Sequence, residues 1–325
     1  MRRRTLLLAG GAWLAGVPGV SWSQAAKVVR LAFAHPGREA GIRLYLDAFR
    51  ATLKDLGYVE GRNVAIETHW GEDKAERFAT LAREVVASKP DLIVTATSLG
   101  VASFKKATSS IPVVFATAFS PVEQGFVASL QRPGGNITGV LVYSDLTQKT
   151  VEVARAALPA AKRLAILLHD IDPAHKIALR AFEDSTVRFN FDPLVARVSR
   201  VEDLDAAFAV LVAKRADILL TPQLTFMVSN RAHIIERALK ARVPLISSHN
   251  FMAEDGGLLS YGTLNEENYR RAAALAVRVL RGAKPGELPV ERPERFVLIV
   301  NSRTAKAIGV TVSPVTMLQA DKVIE

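Results

Sequence analysis

From residue 28 onward, short apolar runs of strand length alternate with amphipathic helical stretches almost without a break, and this alternation restricts the chain to one fold class. Val28–Ala34 is an apolar run, and Arg38–Leu56 follows it with Ile42, Tyr45, Leu46, Phe49, Leu53 and Leu56 on one stripe near period 3.6. The same pair of signals recurs through Asn63–Trp70 and Ala75–Ser88, then Asp91–Thr95 and Leu99–Ala107, then Pro112–Thr117 and a helix expected over Val122–Leu130. A strand at Ile137–Tyr143 ends that run, and the cycle restarts at Lys149–Leu158, continuing through a single helix expected over Phe226–Ala241. Continuous apolar strands are buried on both faces, which calls for parallel sheets with helices on either side. The runs 26–143 and 149–255 are alike in length and element order, so the expectation is α/β, as two doubly wound parallel-sheet lobes. The remainder beyond 257, with a strand at Gly257–Tyr261 and a helix at Asn265–Arg281, has too few elements for a domain and must return to complete the lobes.

The first 25 residues read differently. Arg2–Arg4 is a cationic start, an uncharged apolar stretch runs to Val20, and small residues follow at Ser21, Ser23 and Ala25. That is the grammar of a cleaved secretory signal peptide, with cleavage expected after Ser23 or Ala25. Arg3-Arg4-Thr5-Leu6-Leu7 also resembles a twin-arginine motif, which leaves the export route open. The alternative is an N-terminal membrane anchor. A periplasmic product follows. The sequence holds no cysteine, which excludes disulfides, thiolate metal sites, cysteine nucleophiles and a lipidated cysteine. Its formal charge is +10, of which three lie at Arg2–Arg4. The other cations are scattered among acids along helices, the pattern of a solvated surface, so no nucleic-acid partner is expected.

In open parallel sheets, ligands bind beyond the carboxyl ends of the strands. That rule picks out His35, Thr97 and Ser98, Phe119 and Ser120, His169 with Asp170 and Asp172, Gln223, and His249 with Asn250 as the candidate ligand-binding residues. Each of the small polar ones also has an ordinary reading as a helix cap. No Gly-x-Ser-x-Gly elbow, Walker loop or dinucleotide-binding glycine pattern is present, so no catalytic residue is expected and the chain is not read as an enzyme. His169, Asp170, Asp172 and His175 lie close in sequence but lack a standard metal spacing, and neither metal nor cofactor is expected.

Several segments resemble one family. They are Leu56-Gly57-Tyr58-Val59-Glu60-Gly61-Arg62-Asn63, Ile111-Pro112-Val113-Val114-Phe115, and Arg132-Pro133-Gly134-Gly135-Asn136-Ile137-Thr138-Gly139. Gly256-Gly257-Leu258-Leu259-Ser260-Tyr261-Gly262 and Gly282-Ala283-Lys284-Pro285 extend the series toward the end of the chain. The chain is thus similar to the ABC-transporter substrate-binding proteins of the TrpX-like group, with the type I periplasmic binding-protein fold. The resemblance implies a hinged receptor that captures a small polar solute, of amino-acid or organic-acid type, and presents it to an inner-membrane ABC permease. It implies three hinge crossings, near Tyr143–Thr147, Asp255–Leu258 and Pro285–Val290. The first lobe would then be 26–143 plus 258–286, the second 144–257 plus 287–325, and the protein a monomer. A sensory module for a membrane signalling partner and a metal-dependent enzyme are the alternatives.

The chain departs from its relatives at the site. The usual Asp before Pro-Val is Ser120, the usual Asn-Pro-x-Asn-Pro is His169-Asp170-Ile171-Asp172-Pro173, and the later aromatic segment is Ser247-Ser248-His249-Asn250. Asp170 or Asp172 would take over the lost carboxylate, and small polar groups and imidazole would replace aromatic walls. These departures favour a small polar, even anionic, ligand over tryptophan.

Overall fold

A computed structural model describes residues 28–325 apart from 143–145, 173–174 and 294. The expected leader of residues 1–25 lies outside them. The first lobe is a five-stranded sheet of β1 (Val29–His35), β2 (Val64–Trp70), β3 (Leu92–Thr95), β4 (Val113–Phe119) and β5 (Ile137–Val142). Its order is β2-β1-β3-β4-β5 and every pairing is parallel. Helix α1 (Glu39–Asp55) covers one face, where Leu31 and Phe33 pack on Ile42, Leu46 and Phe49. Helices α2 (Ala75–Ala87) and α3 (Thr97–Ala107) cover the other through Phe78, Ala82, Val101 and Phe104. The stripes read from the sequence are therefore the buried ones.

The second lobe begins with α4 (Leu146–Ala157) and continues through β6 (Arg163–His169), α5 (His175–Arg188), β7 (Asp192–Val198), α6 (Leu204–Ala213) and β8 (Ile218–Thr221). Helices α7 (Thr225–Ser229) and α8 (Arg231–Ala241) come next, then β9 (Leu245–Ser247), α9 (Asn250–Glu254) and β10 (Leu259–Thr263). The chain then returns to the first lobe, where α10 (Asn265–Leu280) packs beside α1 and supplies Tyr269, Ala272, Ala273 and Ala276 to its core. It ends in the second lobe with β11 (Phe296–Asn301), α11 (Ser302–Ile308), α12 (Pro314–Gln319) and β12 (Lys322–Ile324). The second sheet has the order β12-β11-β10-β9-β8-β6-β7, parallel except where β11 runs against β10.

Several expectations change. Val122–Leu130 is a chain of turns, not a helix: Ser120 and Gly125 have positive φ of 41° and 68°, and Ala128 N–H donates to the Pro133 carbonyl. The helix expected over Phe226–Ala241 breaks at Asn230, whose side chain donates to the Phe226 carbonyl at 3.0 Å. Strand β10 pairs with β9 and β11, so residues 259–263 belong with the second lobe and not with the first. Ladder hydrogen bonds decide this, since an apolar strand reads alike in either sheet. The second crossing therefore falls at Leu264, beyond Asp255–Leu258. The third also lies later than Pro285–Val290, because Val290 N–H still donates to Leu130 and Glu291 N–H to Gly139 in the first lobe. Only residues 292–295 then separate Glu291 from β11. Most of the first expected crossing, Tyr143–Thr147, falls on residues outside those described.

Candidate functional site

Carboxyl ends of strands from both sheets face each other across a cleft, and a cavity of about 590 Å³, counted with the solvent at its mouth, lies between them. The first lobe brings His35 from the end of β1, Thr97 and Ser98 from the start of α3, and Phe119 from the end of β4. The second brings Asp172 from the loop after β6, Gln223 from the loop after β8, and His249 from the loop after β9. Seven of the eleven expected residues thus line one cavity. The other four do not. Ser120 is buried beside it with φ of +41°. Asp170 is drawn outward by Arg197, 2.6 Å away. His169 stacks on Phe226 with ring centroids 4.6 Å apart and lines a smaller side cavity that shares Asp172. Asn250 ties the chain together by donating to the Thr263 carbonyl at 3.1 Å.

The walls are more apolar than expected. Ile42 and Tyr45 of α1, Val142 at the end of β5, and Tyr269 of α10 complete the first-lobe wall, with Leu224 and Val228 opposite. The Tyr45 and Tyr269 rings stack at 5.4 Å. The expected replacement of aromatics concerned Ser247–Asn250 on the second lobe; the first lobe builds an aromatic wall of its own from Tyr45 and Tyr269. Tyr45 and Tyr269 sit on helix stripes that read from sequence only as core positions, and nothing local marks them as cavity residues.

Burial sets the electrostatics. The His35 imidazole is pushed down to about 3 by its enclosure, and its Nδ1 accepts the Gly37 N–H at 2.9 Å, so the ring is neutral at pH 7. Burial likewise pushes His249 down to about 4, against a smaller opposing pull from the Leu224 backbone. That backbone contact is not a well-formed hydrogen bond, and neither His249 ring nitrogen has a hydrogen-bond partner. Burial raises Tyr45 to about 12, partly offset by its hydrogen bond with Asn265. Gln223 donates its amide to the Ser248 carbonyl at 2.8 Å, leaving Oε1 buried and unpartnered. Ser98 Oγ accepts from Phe119 N–H at 3.2 Å and from Gln124 Nε2 at 2.9 Å. Its own proton is left for a further acceptor. Among the described residues, Asp172 is the acid lining this cavity, and no Lys or Arg lines it.

The lobes touch at the mouth. Asp73, in the loop before α2, accepts a hydrogen bond from Ser229 at the end of α7 and pairs with Arg38 at 3.1 Å. Burial holds the Asp73 carboxyl above the usual carboxylate range. Among the described residues, no group of three or more His, Asp and Glu side chains gathers to hold a metal ion.

Comparison with known proteins bears on the same geometry. A tyrosine-binding protein of Clostridioides difficile is 27% identical over 274 residues, covering 84% of this chain and 78% of the relative. An ABC domain from Streptococcus pneumonia in complex with L-Trp superposes with a TM-score of 0.86 at 23% identity, over 92% of this chain and 100% of that one. A ligand-free, open substrate-binding protein with adhesive properties from Clostridium difficile superposes with a TM-score of 0.66 at 20% identity, over 91% and 99% of the two chains. The sequence profile of the ABC transporter substrate binding proteins matches residues 29–324, and the chain belongs to that family.

Proposed function

We propose that the protein captures a small solute with an apolar body and a net-neutral or cationic head, of amino-acid type, between its two lobes. Members of its family are receptors that bind small molecules and work with ABC permeases, and this chain is such a receptor. The carrying observation for the ligand class is the cavity itself: stacked tyrosines on one wall, one carboxylate, and no cation among the described residues that line it. A buried anion without a partner is costly, which argues against an organic acid of net negative charge and revises the anionic expectation. The tyrosine-binding relative and the L-Trp complex support an amino-acid type. Closure follows from the same layout, since a ligand that touches both lobes only when they meet shifts the population toward the closed form.

The Arg2–Arg4 start and the apolar stretch after it support a cleaved leader and a periplasmic location, and we take the receptor to act as a monomer. The family favours neither a sensory module nor an enzyme.

A thermal-shift screen of the mature protein against amino acids, amines, organic acids, sugars and nucleosides tests the reading. A ligand at 100 times its dissociation constant stabilises by about 2.7 kcal/mol, enough to move the melting temperature by several degrees. The expected result is a shift with neutral amino acids or amines bearing apolar side chains. Shifts confined to di- and tricarboxylates, or no shift with any class, would overturn it.

A further inference from the structure

We infer that Asp172, Gln223 and His249 form a three-acceptor cradle for a primary ammonium group, so that the second lobe reads the amine of the ligand. This rests on the proposed function and sharpens it. Primary ammonium has three N–H donors and no acceptor. The second-lobe wall offers a matching set: the Asp172 carboxylate, the Gln223 amide oxygen, and a ring nitrogen of neutral His249. Two of the three carry independent marks of an absent partner. Gln223 Oε1 is buried without a hydrogen bond, its amide nitrogen being committed to the Ser248 carbonyl. His249 is 6% exposed, both ring nitrogens lack partners, and the ring is fixed in place by stacking on Phe251 at 5.1 Å. Buried polar atoms are nearly always hydrogen-bonded in folded proteins, so orphans that line one cavity mark where a ligand completes the set.

The cradle differs from the arrangement expected from the family resemblance. The carboxylate that relatives carry before Pro-Val is Ser120 here, on the first lobe. With the acid at Asp172, the ligand's amine faces the second lobe and its apolar body lies along Tyr45 and Tyr269. The first lobe keeps a place for a carboxylate at the N-terminus of α3, where Thr97 and Ser98 line the cavity and the Ser98 proton is uncommitted. A helix N-terminus favours an anion there. The ligand is then a primary amine with an apolar body, its α-carboxylate being accommodated but not required.

Protonation supplies a signature. A protonated His249 has no acceptor and places a cation beside the ammonium; burial holds the folded ring at about 4, so affinity is full well above that value and falls as pH drops toward it. His35, on the opposite wall, acts in the same direction. Tyr45 and Tyr269 are both raised and stay neutral throughout, and the Arg231 guanidinium lies over the Phe251 ring on which His249 stacks. Asp73, at the contact between the lobes, acts oppositely, since its burial favours the protonated form.

Calorimetry on the mature protein tests the cradle with three probe sets that need no variant. L-tyrosine is compared with tyramine and 3-(4-hydroxyphenyl)propionate, and phenylalanine and leucine with their own decarboxylated and deaminated analogues. In at least one set the amino acid and the amine should bind, and the deaminated acid should lose about 100-fold or more. Asp172→Asn should lose a similar factor, and His249→Gln, which keeps an acceptor but cannot titrate, should bind while losing one proton from the pH profile. Circular dichroism melting checks that each variant is folded. Deaminated acids that bind as tightly as the amines, or a folded Asp172→Asn with unchanged affinity, would overturn the cradle and leave the receptor reading intact. A neutral ligand without an amine emerging from the wider screen would do the same. Failure of every solute class would instead remove the ligand reading itself.

Discussion

His35 and His249 line one cavity from opposite lobes, and both are neutral because burial disfavours the charged ring. Each therefore makes the folded protein sensitive to acid. A base whose value is depressed on folding contributes stability that is complete above its unfolded value of 6.5 and is lost as pH falls from there toward the folded value. For His35 the loss between pH 6.5 and 4.5 is about 2–3 kcal/mol. Urea unfolding at pH 7 and pH 5 should show wild type losing more stability on acidification than His35→Asn, whose carbonyl can still accept from Gly37. Equal losses in the two proteins would contradict the assignment. At this scale the rule about strand ends was informative but not selective: it pointed to His35, Gln223 and His249, which line the cavity, and equally to Ser120, His169, Asp170 and Asn250, which do not. It was silent on Tyr45 and Tyr269. A residue on a helix stripe faces the core, and only the packing of α10 beside α1 turns these two rings toward the cleft.

Most strands and helices were legible, because hydrophobic periodicity reports which face is buried. It failed where backbone conformation outranks side-chain pattern. Val122–Leu130 has the composition of a helix, but Pro121, the left-handed Gly125 and the hydrogen bond from Ala128 to Pro133 hold it as turns. Helix α12 went unread despite a usable signal, the Ser313 cap followed by Pro314 at the first helical position. A sharp constraint on an element is Gly139 in β5. A Cβ there would lie 2.1 Å from the Phe115 carbonyl oxygen, where β4 and β5 shift register. Gly139→Ala must push the edge strand away and should cost about 1–3 kcal/mol or more, read as a lower melting temperature. The loss should reach the cleft too, since Phe119 and Val142 at the far ends of these strands line the cavity. A variant that melts with wild type would refute the close approach.

Across the whole molecule, the lobes meet through side chains at the mouth as well as through the covalent crossings. Ser229 donates to Asp73 across the cleft, and Gly37 leaves room for this, since a Cβ there would lie 3.2 Å from Ser229 Oγ. Removing the hydroxyl should favour the open form. Ser229→Ala should weaken ligand binding by about fivefold, the size of one ordinary hydrogen bond, and should enlarge the radius of gyration measured by X-ray scattering at subsaturating ligand. Unchanged affinity and size would show that the contact does not bias closure. The two-lobe plan was legible from the repeated alternation, but the division at 258 was not. Strand β10 is apolar enough for either sheet, and only its ladder with β9 and β11 places it. The interleaving this creates also fixes an order of events during synthesis. The first lobe lacks α10 until residue 280 is made, and the second lacks β11 and β12 until residue 324. A nascent chain thus holds all five strands of the first sheet by residue 142 with one face of that lobe still awaiting α10, while the second sheet stays open until its last strands are made. The first lobe can therefore close its core before the second sheet is complete.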